Sequence, residues 1–164
     1  MTPQPTPGQR RTLHFDALGD LSAELDRLES AHAADTLRST GNWSPGQILQ
    51  HLADVHRMSF EGVGFRLALP LRVLGRLMKG RALSRGMRPG FKAPAGLAPD
   101  PDVDFDAALG NLREQISRCD RGQRMTQRSP ILGPMSHEDW VRLHCRHAEL
   151  HLGFLHTDTD EAEA

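Results

Sequence analysis

Four stretches of this chain repeat apolar side chains at spacings of three and four residues, and no stretch alternates them convincingly at a spacing of two. A spacing of three and four puts side chains on one face of an α-helix, whereas a half-buried strand needs alternation. Helices that each carry one apolar face must bury those faces against one another. Leu18, Leu21, Leu25 and Leu28 define the first helix, expected over about 17–31 with Asp16 as its N-cap. Ile48, Leu49, Leu52 and Val55 define the second. Phe105, Leu109, Leu112, Ile116 and Cys119 define the third, over about 103–120, with Gly122 at its end. Trp140, Leu143, Leu150 and Phe154 define the fourth, expected to reach about 155.

Two of these helices announce their starts. In "WSPGQI", Ser44 caps, Pro45 takes the first helical position, Gln47 completes a capping box, and Trp43 and Ile48 can staple the entry. "MSHEDW" repeats that logic with Ser136 as cap, Asp139 three residues on, and Met135 facing Trp140. Between the second and third helices, residues 62–99 hold Arg66, Arg72, Arg76, Lys79, Arg81, Arg85, Arg88 and Lys92 and no acid. Within them "PLRVLGRLMKG" suggests a short amphipathic helix from Pro70. The remainder, rich in Gly and Pro, reads as a structured loop or lid. The fold class expected is all-α, a four-helix bundle with a long connection between helices 2 and 3.

The 164 residues suit one domain with a real core. Residues 1–11 and the acidic tail 157–164 read as disordered ends, leaving 12–156 as the bundle. No apolar run approaches the length of a membrane span and no signal segment is evident, so no membrane partner is expected. Two cysteines, Cys119 and Cys145, make no disulfide framework and fit a reducing compartment, the cytoplasm. A formal net charge of −1 argues against a dedicated nucleic-acid binder.

"HCRHAELH" sets His144, His147 and His151 within eight residues. His147 and His151 stand one helical turn apart, and His147 fills the gap between Leu143 and Leu150 in the apolar pattern. These rings therefore face the interior, where each needs a partner. A divalent metal supplies one, and an i, i+4 pair can chelate it if a third ligand comes from another helix. His51, beside Leu52 on the second helix, is the natural third. His56 points about 140° away from His51, and Cys145 about 200° from His147. The plainer alternative is a set of hydrogen-bonded core histidines, and that is the reading for His144 unless it supports a ligand from behind. His14, His32, His137 and His156 read as surface or helix-end residues.

"NWSPGQILQHLAD" and, about ninety residues later, "LGPMSHEDWVRLHCRHAELHLGFL" together resemble the DinB-like superfamily of metal-binding four-helix bundles. Within it they resemble a bacterial family of unassigned function. The resemblance spans roughly residues 11–156. Its usual metal triad takes one histidine from the second helix and two from the last, which implicates His51, His147 and His151. The narrower family often has a second histidine directly before the last ligand; Leu150 stands there in this chain.

Three neutral ligands leave an ion's charge uncompensated and a coordination position open, which can acidify a water or hold a thiol as thiolate. Zinc and nickel are the metals expected, although three imidazoles also suit iron or copper. Since characterised DinB-like proteins include transferases and isomerases that use low-molecular-weight thiols, the resemblance implies transfer of such a thiol to a small electrophilic substrate. The basic 62–99 segment could attract the thiol's carboxylates, or be a solvated cationic lid. A metal-dependent hydrolase is the rival, with Asp54, one turn from His51, as its base, as a group that orients a ligand histidine, or as a residue that merely solvates its helix. A non-catalytic, metal-stabilised interaction module, dimeric through an exposed helix face, is the other alternative.

Overall fold

The computed structural model describes residues 6–65, 67–90, 98–158 and 160. Its described residues are mainly helical, with five helices and one two-residue strand pair. The elements run α1 (Leu18–Ala33), β1 (Arg38–Ser39), α2 (Pro45–Glu61), α3 (Leu69–Arg85), α4 (Phe105–Asp120), α5 (His137–Leu152) and β2 (Leu155–His156).

The helix entries follow local chemistry. Ser44 accepts from the Gln47 backbone N–H at 3.2 Å while the Gln47 side chain accepts from the Ser44 N–H at 2.9 Å. Ser136 and Asp139 repeat the exchange at α5. At α1 the expected cap is displaced by one residue. Ala17 occupies the cap position, and Asp20 accepts from the backbone N–H groups of both Asp16 and Ala17. An acid at the third position thus does from inside the helix what a capping Asp16 would have done from outside.

The apolar faces bury as their spacing predicts. Leu21, Leu25 and Leu28 from α1, Leu49 and Leu52 from α2, Leu112 from α4 and Trp140 from α5 are fully enclosed. α2 packs on α4 and α5, and α1 packs on the same two helices. α2 and α4 run parallel: Gln47 reaches the Asp100 carbonyl near the start of α4, Gln50 bonds Asn111 in the middle, and Glu61 pairs with Arg118 at the far end. Gly46 lets them begin in contact, because a Cβ there would lie 2.6 Å from the Val103 carbonyl oxygen. Parallel neighbours need a long connection, and residues 62–104 supply it.

Three expectations are corrected. α5 stops at Leu152 rather than near 155, because Gly153 meets the N-terminal segment: its carbonyl accepts from Arg11 N–H at 2.7 Å. The chain then turns so that β2 pairs antiparallel with β1, Arg38 opposite His156. Second, the helix expected to be short within 62–99 extends over 17 residues as α3, docked on α5. The Gly- and Pro-rich loop expected after it lies largely at 91–97, outside the described residues. Third, both expected disordered ends are tied in at their inner edges. Arg11 pairs with Glu24 at 2.5 Å, and Asp160 pairs with Arg27 at 3.2 Å beside a buried Thr157. None of the described helices is long and apolar enough to cross a membrane.

Candidate metal centre

α2 and α5 lie antiparallel, so His51 near the start of α2 meets His147 and His151 near the end of α5. The three rings stand edge to face, with centroids 5.0 Å (His51–His147), 4.9 Å (His51–His151) and 4.6 Å (His147–His151) apart. One ring nitrogen from each lies within 4.8 Å of the others. His51 and His147 are buried and His151 is partly exposed, so the cluster has one open side. Burial, reinforced by the neighbouring imidazoles, holds His147 well below the ordinary histidine range. Burial, His51 and Arg10 push His151 down to about 3. These two rings are therefore neutral at physiological pH, with lone pairs available to a ligand.

The donor set suits a first-row divalent ion. Two nitrogens bound to one tetrahedral ion at about 2.0–2.1 Å sit roughly 3.3 Å apart. Nε2 of His51 and Nε2 of His147 are 3.2 Å apart. The same spacing accommodates an N–H···N hydrogen bond when no ion is there.

Trp43 flanks the cluster. Its ring stacks on His151 at 5.5 Å and 12° and tilts against His51 at 4.9 Å. Its position just before the α2 cap had suggested only a hydrophobic staple; the fold also gives it the role of holding two imidazole planes. Arg10, close enough to act on His151, lies over the Phe154 ring at 5.3 Å and donates to the Glu149 carbonyl.

A second histidine pair sits deeper between the same helices. His56 and His144 are fully buried and stacked at 3.6 Å and 14°, with Trp140 stacked on His144 at 5.5 Å. His56 Nδ1 is 2.9 Å from the Leu52 carbonyl, which can only accept, so the proton is on Nδ1. Ser59 spends its hydroxyl proton on the His56 carbonyl and accepts from His144 Nε2–H at 3.2 Å. The bare nitrogens, His56 Nε2 and His144 Nδ1, find no hydrogen-bond partner among the described residues. Burial lowers His56 to about 4 and carries His144 well below its ordinary value. Parallel rings cannot aim in-plane lone pairs at a shared ion, so this pair is core. His144 thus bonds Ser59 and stacks on His56.

Asp54 does not join the α5 histidines. Its Oδ1 accepts from Gln50 and from Arg57, both at 2.9 Å and both on its own helix. Cys145 is buried, with its thiol pushed up to about 11 by burial, and is no ligand. His156, expected at the surface, is buried in β2 with Nε2 donating to the Gln9 carbonyl. A cleft of about 270 Å³ opens on the neighbouring face of α5, lined by Arg10, Arg85, Arg146, Glu149 and Leu150 among others. None of the three clustered histidines lines it. Arg146 is engaged by Glu149 at 2.9 Å, whereas Arg85 pairs with no described carboxylate.

Residues 8–158 match the model of a family described as "Protein of unknown function (DUF1569)". No curated protein and no solved structure matches the chain.

Proposed function

The chain belongs to the DUF1569 family, and from its three converging imidazoles we infer that it binds a divalent metal, zinc or nickel, through His51, His147 and His151. The observation that carries this reading is a trio of ring nitrogens gathered within 4.8 Å between two helices. When bound, such an ion supplies Lewis acidity that favours the thiolate form of a small thiol, the nucleophile for transfer to an electrophilic substrate. The chain's own residues prepare the place. His51, His147 and His151 present neutral donors, Trp43 fixes two of their planes, and the exposed edge of His151 leaves one approach. Arg10, beside that approach, and Arg85, in the adjoining cleft, offer positive charge to a thiol that carries carboxylates.

In this reading α1, α2, α4 and α5 are the helices of a DinB-like four-helix bundle, α3 is an addition to it, and the protein works in the cytoplasm with Cys119 and Cys145 as free thiols. A hydrolase is less well supported, because Asp54 is held by Gln50 and Arg57. A metal-stabilised module without catalysis would share the site and differ only in lacking turnover.

Elemental analysis of protein purified without chelator should find about one equivalent of metal, and almost none in His147→Ala/His151→Ala. A parent that stays metal-free after reconstitution would end the metal reading. If metal binds, transfer from low-molecular-weight thiols to a chromogenic electrophile should require both the metal and His51. Metal without such turnover would select the non-catalytic alternative.

A further inference from the structure

α3 is built inside out for a helix resting on a protein core. The side it turns to the body carries small residues: Gly75 and Ala82 are its only buried positions among the described residues. A Cβ at Gly75 would collide with the Ile131 carbonyl, so the helix backbone lies directly on the 129–133 turn. Lys79 ties the same side down through Asp139 at 2.6 Å and the Pro134 carbonyl. Leu83 is partly buried against the core, but most of the other large apolar residues are exposed. Among the described residues, the large apolar side chains that stand exposed are Leu69, Leu71, Val73, Leu74, Leu77 and Met78, and all belong to α3.

Their arrangement is ordered. Leu69, Val73 and Leu77 recur every four residues and form a stripe opposite Gly75 and Ala82. Leu77, at 79% exposure, is the outermost. Arg81 lies along one edge of the stripe, whereas Arg76 reaches back against Gly133 and Arg85 lines the cleft beside α5. None of these three arginines pairs with a described carboxylate, and no acid occurs between Glu61 and Asp100. An apolar stripe of this extent held in water calls for a partner.

We propose that the outer face of α3 is a docking surface for an anionic lipid bilayer. The aliphatic stripe would enter the boundary between headgroups and acyl chains, with Arg81 at headgroup level and the acid-free 62–99 stretch adding positive charge around it. The charge pattern favours this occupant over a second copy of the chain. A two-fold contact through α3 would set its arginines against their own kind, with no acid on the element to answer them. The stripe has no aromatic ring on which a nucleic-acid base could stack. The expectation of no membrane partner rested on the absence of a span, and peripheral docking needs none.

The full-length protein should be sedimented with vesicles of phosphatidylcholine alone and with vesicles containing about 30 mol% phosphatidylglycerol. Binding is expected to the anionic vesicles, to weaken in about 0.5 M salt, and to be slight on the neutral ones. Leu77→Glu should reduce partitioning at least tenfold while leaving the thermal melt unchanged, since Leu77 touches little of the protein. Arg81→Ala should cost roughly fivefold. Failure to bind anionic vesicles would overturn the proposal, as would binding that Leu77→Glu does not alter. A lipid-free dimer that Leu77→Glu dissociates would also overturn it, and would assign the face to a second copy.

Discussion

His56 and His144 show how a buried histidine can be read as a pH-dependent stability term. Burial holds His56 at about 4 in the folded protein, against an ordinary 6.5 for an exposed imidazole. Below about pH 6.5 the unfolded chain takes up a proton that the folded chain refuses, so stability falls as pH drops toward 4 and is intact above 6.5. The His56 shift alone corresponds to about 3 kcal/mol at the bottom of that window. His144 shifts in the same direction. Thermal melts at about pH 7 and about pH 4.5 should therefore differ more in the parent than in His56→Leu. Equal differences would mean that His56 is not held neutral. Spacing in the sequence placed His147 and His151 on the interior face of a helix and set His51 beside a core leucine, because helical periodicity is a local property. The partnership of His56 with His144 was not legible. It joins rings 88 residues apart whose meeting depends on the antiparallel register of α2 and α5. The Trp43–His151 stack was hidden for the same reason.

At the scale of elements, α3 differs from the other four helices. α1, α2, α4 and α5 could be read from apolar periodicity, since their large side chains are the ones they bury. In α3 the pattern misleads, because close backbone approach at Gly75 makes the glycine face the docking face. Two glycines in this helix should consequently respond oppositely to the same change. Gly75→Ala drives a methyl into the Ile131 carbonyl and should destabilise the protein by about 1–3 kcal/mol. Gly80→Ala meets nothing within 4 Å and should stabilise it by about 0.5–1 kcal/mol. Urea unfolding of the two variants beside the parent measures both, and a Gly75→Ala protein as stable as the parent would refute the docking geometry.

For the molecule as a whole, the site joins helices far apart in sequence, so a ligand there should act on global stability. A metal that binds His51, His147 and His151 only in the folded state raises stability by about 2.7 kcal/mol at a hundredfold excess over its dissociation constant. Thermal melts with added zinc or nickel should shift upward in the parent and stay put in His51→Ala. By itself the sequence determined where four helices begin, which faces they bury and which three histidines share an interior direction. Those properties follow from hydrogen-bonded caps and the 3.6-residue turn, which act within a few residues. Only the tertiary structure decided that α2 and α4 run parallel, that the chain ends fasten to Glu24 and Arg27, and that α3 leaves Leu69, Leu71, Leu74 and Leu77 exposed. Each depends on backbone contacts between segments far apart in the chain, such as Gly46 against Val103 and Gly75 against Ile131, and local periodicity carries no record of which segments will meet.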